Sequence, residues 1–167
     1  MSTAEAAPAF SLELDDEHRT LRDWLAGFAA DVLRPNGAEW DRRAETPWHI
    51  IAEAARLGVY GTEMLNVFLS DQTGLALPIY AEELFFGDAG LAMSFAGTLL
   101  PVLAIHAMGT SEQIAEWVPQ CFGDAERPHV AAFCSSEPDA GSDVAGIRAS
   151  ARYEEARDEW VLNGQKA

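Results

Sequence analysis

Between Phe133 and Gly146 the chain reads Phe-Cys-Ser-Ser-Glu-Pro-Asp-Ala-Gly-Ser-Asp-Val-Ala-Gly, and here its residue types could do chemistry. Pro138 fixes one backbone angle and Gly141 admits positive φ, so the segment can wrap closely around a ligand. The hydroxyls of Ser136 and Ser142, with the amides around them, are donors suited to an anion or to the edge of a heterocycle. This is a cradle, with no nucleophile or base implied. An isolated string of this composition also reads as a polar loop with two turns.

The order of residues says more. Cys134, Ser136, Glu137, Gly141, Ser142, Asp143 and Gly146 fall at the positions of the first signature of the acyl-CoA dehydrogenase family, which the segment closely resembles. Ser135 stands where that family usually has an aliphatic residue, and Ser136 where a Thr is common. Both keep the backbone contacts available. Two other landmarks resemble the family in the same register: the Glu-Glu-Leu of residues 82–84 followed by Gly87-Asp88-Ala89, and Gly109-Thr110-Ser111-Glu112-Gln113. One stretch departs from it. Met64-Leu65-Asn66-Val67-Phe68-Leu69 lies where the family has a Gly-rich loop, so the substrate-side loop is expected to be altered.

The resemblance implies a mainly α fold: a helical bundle over residues 1–130, then the first strands of an incomplete β-barrel domain over 131–167. It implies FAD, with Phe133, Cys134, Ser135 and Ser136 at the flavin ring and Gly141 and Ser142 near the cofactor. Ser142 would also meet the coenzyme A thioester arm, and Phe95, Ala96 and Leu99 would line the acyl pocket. Small residues there equally permit close helix packing. The implied activity is α,β-dehydrogenation of an acyl-CoA in fatty acid metabolism, with an electron-transfer flavoprotein or similar acceptor and a homo- or hetero-oligomeric assembly.

In the family, the glutamate that removes the α-proton usually comes from a C-terminal domain, beyond Ala167. No catalytic residue is therefore assigned, and the isolated chain is expected to be inactive. Glu137 is expected to tie the loop to nearby amides, and Asp143 to serve a turn or cap. A non-catalytic partner subunit or remnant of such an assembly, and a flavin monooxygenase or nitroalkane oxidase on the same fold, are the alternatives.

Composition sets bounds on partners. The net charge is -16; residues 1–130 carry 7 Lys/Arg against 20 Asp/Glu, and residues 131–167 carry 4 against 7. This balance argues against nucleic acid as a partner, because neutralising phosphates needs a basic surface, and against an anionic membrane. FAD and coenzyme A are polyanions, so this chain would hold them through amides, hydroxyls and basic residues from elsewhere. Cys121 and Cys134 make no disulfide framework and no metal spacing with the four histidines, which points to a reducing compartment. No leader pattern is visible over residues 1–10, so a cytoplasmic location is expected. The uncharged run from Ala89 to Met108 reads as a buried helix, since Pro101, His106 and the lack of flanking cations make it a poor membrane span.

The elements that position the cradle follow from periodicity. Asp15 or Asp16 caps a helix with Leu21, Trp24, Leu25, Phe28, Val32 and Leu33 on one face, expected to end at Pro35. Thr46-Pro47 opens a second helix, which Gly58 stops. Residues 61–74 show no clear period, residues 77–86 are helical again, and a buried helix is expected over about 90–108. Thr110 and Gln113 form a capping box for a helix through Trp117 and Val118. Trp117 and Trp160 read as core or interface aromatics, His106 and His129 as structural or surface histidines. Residues 147–153 and 159–162 read as strands, and Asn163-Gly164 as a hairpin turn leading to a third strand from Gln165.

Overall fold

The computed structural model describes residues 13–167, so the expectations about residues 1–10 lie outside the described residues. Two compact units divide the chain, one ending at Ala131 and the other running from Ala132 to Ala167. The first is helical and the second holds the only strands among the described residues.

Helix α1 (Asp16–Phe28) starts on Asp15, whose carboxylate accepts the His18 amide at 2.8 Å, with Asp16 and Glu17 in the first turn facing the positive end of the dipole. The helical path it begins does not end at Pro35. A π-helical turn (Ala29–Leu33) follows directly, and α2 (Arg34–Arg43) carries Pro35 in its first turn. A proline inside an α-helix lacks the N–H that would bond four residues back. The wider turn absorbs that mismatch, and the Asn36 side-chain amide donates to the Val32 carbonyl at 2.8 Å.

Helix α3 (Trp48–Arg56) is capped by Pro47 rather than Thr46, without a side-chain hydrogen bond. Gly58 (φ +78°) ends it as expected, with Val59 N–H bonded to Ala54 O and Gly58 N–H to Ala55 O. The aperiodic stretch is also helical: α4 (Thr62–Ser70) buries Met64 and Leu65 but leaves Val67 and Leu69 exposed. Apolar residues on both faces hid its period.

Helix α5 (Ala76–Ala96) crosses α1, the π-turn and α2. It breaks at Asp88 (φ -162°, ψ 116°), whose carboxylate recaps the helix by accepting the Leu91 amide at 2.8 Å. Asp88 lies so close to α2 that a Cβ at Gly37 would sit 2.0 Å from its Oδ2. The run expected as one buried helix over 90–108 is in fact the second half of α5 plus α6 (Leu99–Met108), bent by 51°. α6 is only half buried: Val102 is enclosed, while Leu100 and Met108 face solvent. No single helix among the described residues is long and apolar enough to cross a membrane.

Helix α7 (Ser111–Phe122) opens on the capping box of Thr110 and Gln113, with both hydrogen bonds present, and continues past Pro119. The core is built from Leu25, Leu33, Ile50, Ile51, Leu84 and Phe95, all essentially without solvent contact. Each such side chain contributes about 1.5–3 kcal/mol by leaving water.

In the second unit a 3-10 turn (Val144–Gly146) leads to an antiparallel pair, β1 (Ser150–Glu154) and β2 (Glu159–Asn163), in which Ser150 faces Asn163 and Glu154 faces Glu159. The connecting turn contains Asp158 at φ 54°. Asn163-Gly164 does not form the expected hairpin, and residues 165–167 form no third strand. Gly164 (φ 154°) instead passes so close to Ala149 that a Cβ there would meet the Ala149 Cβ at 2.6 Å. The chain then runs beside Ser135 and Ser136.

Candidate functional site

The loop from Phe133 to Ser142 is organised by one carboxylate. Pro138 and Asp139 occupy the centre of a tight turn in which Glu137 N–H bonds Ala140 O at 2.9 Å and Ala140 N–H bonds Glu137 O at 3.1 Å. The Glu137 side chain, only 8% exposed, points away from solvent. Its Oε2 accepts the Arg148 amide at 2.8 Å, and its Oε1 accepts the Ala149 amide at 2.9 Å and Lys166 Nζ at 3.0 Å. Those two amides, then Lys166, lower its pKa from 4.5 to about 2. A carboxylate so engaged is a poor proton acceptor, so Glu137 is a tie for the loop. Asp143 serves the following 3-10 turn through its carbonyl, which accepts the Gly146 amide at 3.0 Å.

Lys166 Nζ also donates to Ser135 O at 3.0 Å, and the Ala167 amide donates to Ser136 O at 3.0 Å. The carbonyls of the Ser135–Ser136 dipeptide thus face the frame. What remains outward is a row of donors. The hydroxyls of Ser136 and Ser142 are exposed and have no partner among the described residues; the same holds for the amides of Cys134, Ser136, Gly141 and Ser142. Phe133 offers a half-exposed ring beside them, Cys134 is an exposed free thiol and Ser135 is half buried. The loop therefore presents neutral donors on a fixed frame, and its two nearby cations are already paired with loop carboxylates, Lys166 with Glu137 at 3.0 Å and Arg148 with Asp139 at 3.5 Å. Such a set suits a polar ring edge or an anionic group.

The other expected residues lie in the helical unit. Phe95 is fully buried, with its ring edge-on to Tyr60 at 5.8 Å, so it is a core residue and not an exposed pocket wall. Ala96 and Leu99 are half buried on either side of the α5–α6 break. Within that break, sequence reasoning missed Thr98, which is 1% exposed. Tyr60 Oη lies 2.5 Å from the His129 carbonyl and 3.0 Å from Thr98 Oγ1, and the Ala131 amide donates to Thr98 Oγ1 at 3.0 Å. A carbonyl can only accept, so Tyr60 donates to His129, Thr98 donates to Tyr60, and Ala131 donates to Thr98. Burial pushes the Tyr60 phenol up to about 12, which keeps its proton in place. Residues 38 and 69 positions apart in the chain leave no local signal of this relay.

Trp117 and Trp160 are both exposed, Trp160 tilted against Tyr153 at 5.4 Å, so neither is a core aromatic in this chain. His129 Nδ1 meets Gln120 O at 3.0 Å in a structural contact. A depression between α2, the α2–α3 turn and α5 is lined by Trp40, Asp41, Glu45, Asp88 and Ser94, and contains none of the cofactor- or substrate-site residues expected from sequence. The described residues hold no group of His, Cys, Asp and Glu able to bind a metal ion.

Residues 15–123 match the model of the acyl-CoA dehydrogenase N-terminal domain. The chain belongs to the acyl-CoA dehydrogenase family. It is 30% identical over 158 residues to the probable medium-chain specific acyl-CoA dehydrogenase 2, mitochondrial, of Caenorhabditis briggsae, covering 94% of this chain and 38% of that protein. Among solved structures it is similar to a glutaryl-CoA dehydrogenase from Mycobacterium smegmatis in complex with FADH2, at 29% identity and a TM-score of 0.72, covering 92% of this chain and 39% of that one. The butyryl-CoA dehydrogenase from Megasphaera elsdenii gives a TM-score of 0.73 at 26% identity, covering 93% and 41%. The chain thus spans about two fifths of these relatives' length, and its helices and first strands have the fold of their N-terminal part.

Proposed function

We propose that this chain is the N-terminal portion of an FAD-dependent acyl-CoA dehydrogenase that oxidises an acyl-CoA thioester between Cα and Cβ. The observation that carries the reading is the row of unpartnered donors at Cys134, Ser136, Gly141 and Ser142, held on the Glu137 frame of a chain that belongs to this family. The donor set fits a flavin: it is neutral, exposed and fixed, and the half-exposed Phe133 ring adds an apolar surface beside it. FAD, when bound, would supply the acceptor for the hydride leaving the β-carbon. The amides and hydroxyls of residues 133–136 would orient the ring and stabilise negative charge at its polar edge. Ser142 would hold the cofactor and the thioester arm, and Ala96 and Leu99 would border the acyl chain.

Removal of the α-proton needs a free carboxylate over the thioester. Glu137 does not meet that need, because two amides and Lys166 occupy it. As the family resemblance implies, the base is proposed to come from outside these 167 residues, and the isolated chain to be inactive. An electron-transfer flavoprotein or similar acceptor, an oligomeric assembly, a place in fatty acid metabolism and a cytoplasmic location belong to the same proposal.

The test is FAD affinity of the full polypeptide carrying Ser136→Ala or Ser142→Ala. Each lost hydrogen bond of about 0.5–1.5 kcal/mol weakens binding roughly twofold to tenfold. Unchanged affinity in both variants refutes the assignment of these hydroxyls.

A further inference from the structure

His18 is a buried polar side chain that no part of the proposed chemistry uses. It sits on the first turn of α1, yet its ring is held from two directions. Nδ1 lies 2.7 Å from Asp15 Oδ1 on its own turn. Nε2 lies 3.2 Å from Thr73 Oγ1 and 3.5 Å from Asp71 Oδ2, both on the turn between α4 and α5. Asp71 is itself the organiser of that turn. Its Oδ1 accepts the Thr73 amide and hydroxyl at 2.8 and 2.7 Å, and its Oδ2 accepts the Ala76 amide at 2.8 Å, capping α5.

The electrostatics of this cluster are one-sided. The titratable groups around the ring are Asp15, Asp16 and Glu17 on its own turn and Asp71 on the opposing one, and no Lys or Arg lines the depression they share. Arg19, the next residue, pairs outward with Asp16 at 2.9 Å. A neutral imidazole has one N–H and can donate to only one of the two carboxylates, whereas an imidazolium donates to both. The geometry, with both ring nitrogens near acidic oxygen atoms, is the one the charged form completes.

We propose that His18 is a protonation-dependent latch that fastens the α4–α5 turn, through Asp71, to the first turn of α1. Loss of the proton leaves the Asp71 side of the ring without its ionic partner and frees the turn over Asp71–Gly74. That turn directly follows α4 and leads into α5, so the latch joins the start of α1 to the start of α5.

Burial opposes the charge on His18, but the hydrogen bonds and charges of Asp15 and Asp71 outweigh it and raise its pKa above 6.5. The latch is therefore fully closed below pH 6.5 and opens as pH rises through the higher folded value.

The experiment is amide hydrogen exchange at Thr73 and Ala76 as a function of pH, alongside an NMR titration of the His18 ring, in wild type and His18→Gln. In wild type, protection at both amides, after correction for intrinsic rates, falls as His18 loses its proton. The fall matches the ratio of the unfolded to the folded acid dissociation constant read from the titration. In His18→Gln the step is absent. Flat protection in wild type while His18 titrates overturns the latch, as does a His18 pKa at or below that of a free peptide. The wild-type titration decides by itself should the variant fail to fold.

Discussion

Tyr60→Phe isolates one hydroxyl in the core of the helical unit. The phenyl ring keeps its edge-on contacts with Phe95 at 5.8 Å and Phe122 at 5.1 Å, so no cavity opens. What disappears is the donor to the His129 carbonyl and the acceptor for the Thr98 hydroxyl. Thr98 is 1% exposed, so its stranded donor finds no water. Leaving a buried polar group unpaired costs about 1–3 kcal/mol. The assay is urea denaturation followed by far-UV circular dichroism, with an unchanged slope and a lower midpoint. Thr98→Val interrupts the same relay and orphans the Ala131 amide, so the double variant is less destabilised than the sum of the singles, with a coupling of about 1 kcal/mol. A Tyr60→Phe variant within about 0.3 kcal/mol of wild type, or strictly additive singles, refutes the relay.

Other outcomes follow from the same geometry. Gly37→Ala drives a methyl against the Asp88 carboxylate and destabilises the helical unit by about 1–3 kcal/mol, seen as a lower urea midpoint. Thr110→Ala removes the oxygen that accepts the Gln113 amide and costs about 1 kcal/mol, with fraying of the first turn of α7 in hydrogen exchange. Because the Glu137 pKa is lowered to about 2, its contribution is fully present above pH 4.5 and is lost as pH falls through that lower value. The Arg148 and Ala149 amide shifts should hold at pH 4.5 and move only near the bottom of the titration; Glu137→Gln displaces them at neutral pH and weakens FAD binding of the full polypeptide.

What could be read from sequence was what local chemistry decides. The Thr110–Gln113 box and the stop at Gly58 involve residues within a turn of one another, and both formed. The Glu137 tie was legible because a carboxylate beside Pro138 in a donor-rich loop has few other uses. Pro35 misled because a π-turn can absorb a proline, and that adjustment depends on the packing of α5 against it. Helix α4 escaped notice because Met64, Leu65, Val67, Phe68 and Leu69 are apolar on every face. The break at Asp88 falls in the gap left between the helices expected over 77–86 and 90–108, whereas the one around Thr98 lies in a run of small and apolar residues that no period marks. Asn163-Gly164 has strong hairpin chemistry, but the close approach of Gly164 to Ala149 directs the chain elsewhere. His18–Asp71 and Tyr60–Thr98 join residues far apart in sequence, which no window reveals.

The central claim is that residues 133–142 form part of a working flavin site. The most direct measurement is the absorbance of the full polypeptide, loaded with FAD and mixed with acyl-CoA substrates without oxygen. Bleaching of the yellow flavin band by an acyl-CoA, with weaker FAD binding in Ser142→Ala, is the predicted result. A flavin band that no acyl-CoA bleaches, or a polypeptide that takes up no FAD, contradicts it.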